Sequence, residues 1–304
     1  MLQPGKIYGM LKETVSQWVD DKSLKLGAAL SYYTVFSLPP LLLIVIAVAG
    51  LVFGEEAARG QIVGQFEGLI GKESASVVQS MIAKAANPQK GVIATVIGLI
   101  VLLVGASAVF IELQDSLNTV WKVKPKPQAG IKYLIRTRLL SFSMILSIGF
   151  LLLVSLVLTA IVSAFGTYLT GLWPGPPAIQ YVLHAVNFLV SFWVVTALFA
   201  MLFKFLPDAR VAWSDVWLGA AVTAFLFTIG KFLIGLYLGK SDIASTYGTA
   251  GSLVLLLLWI YYSSQILFFG AEFTRVYANR YGSHITPAEY AEPTAEGGEK
   301  KKAA

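Results

Sequence analysis

Residues 26–54 form a run of 29 residues without a single charge, and Pro39 and Pro40 stand side by side near its middle. About 20 apolar residues cross the hydrocarbon core of a bilayer as a helix, so this run predicts a membrane span. The prolines predict more than an anchor. Each lacks a backbone N–H and crowds the preceding turn, so helix bonding is expected to fail there. The freed carbonyls of Val35 and Phe36 then need protein groups or a wet cavity to satisfy them. Ser31, Tyr32, Tyr33, Thr34 and Ser37 offer polar groups beside the break.

Composition points the same way. The chain is 56% hydrophobic and 13% charged, with a mean hydropathy of +0.71. A soluble domain carries about 25% charge. There is no cysteine, which excludes disulfides and thiolate metal sites. The net charge of +6 fits an anionic membrane surface better than nucleic acid, because the excess sits beside the spans. No cleavable leader is evident in residues 1–25, and the first span is expected to act as an uncleaved anchor.

Five further spans follow. Gly91 to Ile111 is uncharged. Leu139 to Phe203 contains no Asp, Glu, Lys or Arg and is divided in two by the stretch from Gly171 to Pro177. Trp213 to Leu238 is the fifth, interrupted by Lys231, and Ile243 to Ala271 is the sixth. Runs of this length exceed the ~9–11 residues of a barrel strand, and none alternates as barrel strands do. Seventeen of the 23 Lys and Arg residues fall on one side of this arrangement and five on the other. The positive-inside bias therefore predicts cytoplasmic N- and C-termini. The expected fold is an all-α, polytopic membrane bundle of six transmembrane helices.

Three segments lie outside the spans. Ile7, Leu11, Thr14, Val15 and Trp18 recur at helical spacing, so residues 1–25 form a cytoplasmic amphipathic segment at the inner surface. Residues 60–86 read as two short amphipathic helices between spans one and two, broken over Gly71 to Ser74, which either cap the bundle or lie on lipid. The membrane domain covers residues 26–278. The tail, 279–304, is expected to be largely disordered from Thr286 onward, being rich in Ala, Glu, Gly and Lys.

Three stretches together carry a family resemblance. They are Ala28-Ala-Leu-Ser-Tyr-Tyr-Thr-Val-Phe-Ser-Leu-Pro39, Gly105-Ala-Ser-Ala-Val-Phe-Ile-Glu-Leu-Gln-Asp-Ser-Leu-Asn-Thr-Val-Trp121, and the segment from Tyr247 to Arg275 that contains Trp259-Ile-Tyr-Tyr-Ser-Ser-Gln265 and Gly270-Ala-Glu-Phe-Thr-Arg275. In combination and order they resemble the YihY/BrkB family of inner-membrane proteins, once labelled ribonuclease BN, over about residues 8–285. The resemblance implies six spans with cytoplasmic termini in the bacterial inner membrane. It implies no agreed catalytic set; the family carries labels of virulence factor and transporter. The Pro39-Pro40 pair stands where the family more often has a single proline after a small residue.

The candidate cavity or substrate residues are polar groups at comparable depth. Glu112, Asp115 and Asn118 are three apart at the inner end of span two and so share a helix face. Gln265 and Glu272 lie toward the inner end of span six, and Tyr32, Tyr33, Ser37 and Pro39 in the inner half of span one. These groups either line a pocket open to the cytoplasmic leaflet or merely terminate and lock helices; Glu272 and Arg275 could be an i,i+3 surface pair. Lys231, the deepest formal charge, either snorkels, pairs with Asp242, or meets a substrate on the outer side. The two histidines, His184 and His284, fall on opposite sides, and no metal-ligand spacing is present, so no metal or cofactor is expected.

The functional expectation is transport or handling of a lipid or small amphiphile in the cell envelope. The alternative is a structural or assembly protein of the envelope. The chain is not expected to be an enzyme: phosphodiester hydrolysis needs acid–base or metal machinery, and positive-inside bias already explains the basic loop 122–138. The expected partners are membrane lipids and a lipid or amphiphilic substrate, with no specific nucleic acid; a homo-oligomer is an open option.

Overall fold

A computed structural model describes residues 4–85, 92–127, 178–240 and 250–294, together with residues 130, 133, 135–140, 143, 144, 146, 147 and 151. These residues are almost entirely helical. In chain order they form α1 (Pro4–Asp20), α2 (Ser23–Phe53), α3 (Glu55–Ala85), α4 (Val92–Trp121), β1 (Val123–Pro125), α5 (Ala178–Phe205), β2 (Ala209–Arg210), α6 (Trp213–Lys240), α7 (Gly251–Arg280), β3 (Thr286–Pro287) and β4 (Ala291–Pro293).

Four described stretches of helix are long and apolar enough to cross a membrane: Ser23–Leu51, Tyr181–Phe205, Trp213–Ile234 and Gly251–Arg280. They correspond to the first, fourth, fifth and sixth spans read from the sequence. The run read from the sequence as the second span is helical from Val92 onward, within α4, which is not one of these four. Most of the third, and residues 241–249 ahead of α7, lie outside the described residues. Large apolar side chains such as Phe36, Leu51, Phe188, Trp193, Phe225 and Phe232 point outward. That distribution suits lipid, which solvates apolar side chains as well as the bundle interior does.

Two expectations about helix continuity do not hold. The proline pair does not interrupt α2, which runs from Ser23 to Phe53 with both prolines inside it. Proline removes only the donors at 39 and 40, and the flanking turns are held by packing on α3, α4 and α7. The Pro40 ring sits against Gly105 of α4, where a Cβ would stand only 3.2 Å from Pro40 Cγ. Likewise α3 is one continuous helix of 31 residues and not two. Gly71 costs an exposed helix about 1 kcal/mol, and Lys72 and Glu73 are good helix formers, so the predicted break is too weak to end it.

Helices α6 and α7 lock by a reciprocal device. Thr223 and Thr274 each donate a hydrogen bond of 2.7 Å to the carbonyl four residues back, Gly219 and Gly270. Thr274 fills the hollow over Gly219, and Thr223 fills the hollow over Gly270; a Cβ at either glycine would overlap the opposing threonine. Small residues at such a seam let the backbones approach closely.

The tail departs from its predicted disorder. β4 pairs antiparallel with β1, Val123 opposite Pro293, and β3 pairs with β2, Arg210 opposite Thr286. Residues 286–294 thus fold back across the ends of α4 and α5; residues 295–304 lie outside the described ones. The amphipathic α1 does not merely rest on a surface. Its Met10 packs with Phe273 and Val276 of α7, while Tyr8, Leu11, Val15 and Val19 face outward. Both described chain ends therefore lie at one end of the bundle, hereafter the termini end.

Candidate functional site

Polar chemistry concentrates at the termini end in two clusters. The first is built on Asp208, in the short link between α5 and α6. Its side chain is fully buried. Gln114 Nε2 donates to Oδ1 at 3.0 Å, and Asn118 Nδ2 and the Tyr133 hydroxyl donate to Oδ2 at 2.9 and 2.7 Å. Asn118 Oδ1 in turn accepts from the Asp208 backbone N–H at 2.7 Å. Arg136 Nη1 lies 3.6 Å from Oδ1, and its guanidinium stacks 3.9 Å above the Tyr290 ring. The Asp208 carbonyl accepts from the Ala288 N–H at 2.9 Å. One carboxylate thus ties α4, the 133–136 segment, the α5–α6 link and the folded-back tail. Burial, reinforced by the Asp208 carboxylate, pushes the Tyr133 phenol well above its ordinary value.

The second cluster joins the start of α2 to the ends of α4 and α7. Lys22 and Lys122 both adopt left-handed backbone, at φ 55° and 56°. These turns swing Asp21 and the Lys122 side chain inward. Lys122 Nζ bonds Asp21 Oδ1. Arg275 Nη2 lies 2.9 Å from Glu272 Oε2 and 3.7 Å from Asp21 Oδ2, and donates to Gln17 Oε1 at 2.7 Å. Glu272 is fully buried, and neither of its carboxylate oxygens has a hydrogen-bond partner among the described residues. The i,i+3 pair foreseen as a surface contact is therefore an interior one.

The remaining candidate residues scatter. Gln265 shares the Glu272 face of α7, and both its amide atoms are buried without a partner among the described residues. Gly27 on α2 makes room for that amide, since a Cβ there would overlap it. Ser37 is buried, and its hydroxyl has no partner among the described residues. Ser31 and Thr34 spend their hydroxyls on Gly27 and Leu30, not on the carbonyls freed by the prolines. Tyr32 and Tyr33 face outward, packed with each other and with Phe36, so they do not join the interior groups. Pro39 and Glu112 are half-buried, and Asp115 is exposed. The shared face foreseen for 112, 115 and 118 is thus divided, with Gln114 and Asn118 forming the inward row. Lys231 is exposed on α6, far from both clusters, and Asp242 lies outside the described residues. No group of three or more His, Cys, Asp or Glu placed to hold a metal occurs among the described residues.

Two cavities accompany these clusters. One, about 510 Å³ and open, is lined by Asp115, Asn118, Thr119, Lys122, Lys124 and Thr294 at the termini end. The other, about 260 Å³, lies between α2, α5, α6 and α7. Its walls are Leu38, Phe199, Phe227, Leu256, Trp259, Ile260 and Leu267, with Thr34, Ser263 and Ser264 at one edge. Thr34 and Ser264 bond carbonyls of their own helices, so this cavity is apolar in character.

Comparison with known proteins identifies a family. The profile of a family described as Virulence factor BrkB matches residues 14–295. The chain belongs to the BrkB family. Among its relatives is a UPF0761 membrane protein of Ralstonia nicotianae, 29% identical over 254 residues, covering 83% of this chain and 55% of the relative. Another, from Pseudomonas aeruginosa strain LESB58, is 28% identical over 262 residues, 84% of this chain and 59% of the relative. One from Albidiferax ferrireducens is 31% identical over 176 residues, 57% and 39% of the two chains. The chain thus spans little more than half the length of the curated relatives it matches. No solved structure matches it. With its apolar helices, membership of the BrkB family makes this a helical membrane protein.

Proposed function

We propose that this BrkB-family protein handles a lipid or small amphiphile in the bacterial cytoplasmic membrane, as a six-span bundle with both termini in the cytoplasm. The observation that carries the reading is the 260 Å³ apolar cavity within the bundle, bounded by helices apolar enough to span. Its lining offers little to hold a desolvated ion, and an acyl chain is the chemistry it suits. The seventeen-to-five bias of Lys and Arg supports the orientation. In this reading the basic loop meets anionic headgroups and not RNA, and the chain is not a nuclease.

Purified protein in liposomes tests the proposal. Redistribution of fluorescent lipid analogues across the bilayer is expected, and Thr34→Phe, which fills the cavity, should abolish it. No movement of any lipid or amphiphile across a broad panel would overturn it. The interlocked termini end favours a second reading, an assembly protein of the envelope. A stoichiometric envelope partner, with function intact in Thr34→Phe, would select that reading.

A further inference from the structure

Asp21 and Glu272 are both almost wholly buried, with side-chain exposures of 3% and 0%. They converge on the same Arg275 nitrogen, which lies 2.9 Å from Glu272 Oε2 and 3.7 Å from Asp21 Oδ2. The donors around them are unevenly spent. Lys122 is bonded to Asp21 Oδ1. Arg275 is shared between Gln17 and the Glu272 ion pair. Three buried acceptors remain without a hydrogen-bond donor among the described residues: Asp21 Oδ2 and both oxygens of Glu272. Leaving buried carboxylate oxygens unsatisfied is costly, and a buried acid relieves that cost by taking up a proton.

We propose that Asp21 and Glu272 form a buried proton-binding pair, in which Glu272 is a carboxylic acid that donates to Asp21 Oδ2. One proton supplies a donor to Asp21 Oδ2 and removes one buried charge. The proton belongs on Glu272, because Asp21 already accepts from Lys122 at Oδ1 while neither Glu272 oxygen has a hydrogen-bond partner among the described residues. Most other charged groups of the packed elements are committed elsewhere or exposed, and Glu112 of α4 is half-buried. On α1, Glu13 pairs with Arg280 of α7. On α6, Asp215 accepts from the Ser283 N–H and hydroxyl at 2.9 Å, and Lys231 is exposed. On α3, Glu55 pairs with Arg59, and on α4, Asp115 is exposed. Lys22 and Lys25 also point outward.

An open cavity lies beside the pair. The open 510 Å³ cavity is lined by Lys122, itself in contact with Asp21, so water there stands one side chain from the pair. A water proton passing to Glu272 converts its carboxylate to the acid and leaves hydroxide to the bulk buffer. Deeper along the same face of α7, the unpartnered Gln265 amide extends the polar row toward the middle of the bundle. This inference does not depend on lipid handling.

Infrared spectroscopy of the full chain in an ester-free detergent at neutral pH tests it. A protonated carboxyl band is expected. It should move when the glutamates carry a ¹³C carboxyl label and when H₂O is exchanged for D₂O. It should vanish in Glu272→Gln and shift in Asp21→Asn. A band absent at neutral pH, one that follows labelled aspartate instead, or one that persists in a folded Glu272→Gln variant would overturn the assignment. The label works on wild-type protein, so the test survives a variant that fails to fold, and an absence of lipid movement in liposomes leaves its outcome unchanged.

Discussion

Asp208 and Glu272 are both fully buried carboxyl groups at the termini end of one bundle, yet their surroundings are opposite. Asp208 is saturated: two amides and a phenol donate to it, with a guanidinium nearby. Glu272 has one ion-pair contact, to Arg275, and no hydrogen-bond donor among the described residues. The difference teaches how to separate a lock from a site. A buried charge with every lone pair engaged fixes neighbouring elements in place. A buried acid left short of donors is a place where a proton can be held.

The contrast is broken most severely at Asp208. Asp208→Asn turns one of the two accepting oxygens into a donor aimed at a donor, Gln114 on one side or Asn118 and Tyr133 on the other. The expected loss is about 3 kcal/mol of stability, read from unfolding in mixed micelles. Detachment of the tail should follow, seen as faster proteolysis after Tyr290. Tyr133→Phe should have an intermediate effect, about 1.5 kcal/mol for one hydrogen bond to a charged acceptor. It also carries a pH signature. The folded phenol is held above its unfolded value near 10, so its stabilisation is complete below that pH and is lost as pH rises toward the folded value. Tyr133→Phe should flatten that alkaline decline; an unchanged slope would show that the phenol is not the group responsible.

Much of this arrangement was legible in the sequence. The fifth span, read as Trp213 to Leu238, is α6 to within two residues, because a long uncharged run has few alternatives in lipid. Glu272 stood out because apolar residues flank it on both sides. Asp208 did not: an aspartate after Pro207 in an interhelical link reads the same whether it is solvated or buried. Its partners Asn118 and Tyr133 lie 90 and 75 residues away. Only the relative rotation of α4 and α5 brings them together, and periodicity does not encode that rotation. Asp21 and Lys122 were hidden for the same reason, their pairing being made by two left-handed turns 100 residues apart. The tail's strands are two and three residues long, too short for an alternation to register.

The most direct test of the contrast is a pair of unfolding curves, for Asp208→Asn and Glu272→Gln, in the same micelles at neutral pH. If Glu272 is already a neutral acid, glutamine replaces it with little change in shape or charge, and its amide can donate to Asp21 in place of the hydroxyl. Glu272→Gln should then lie within about 0.5 kcal/mol of wild type, while Asp208→Asn loses about 3 kcal/mol. Equal losses, or a larger loss from Glu272→Gln, would contradict the account, for they would mean that Glu272 is an ionised lock of the same kind as Asp208.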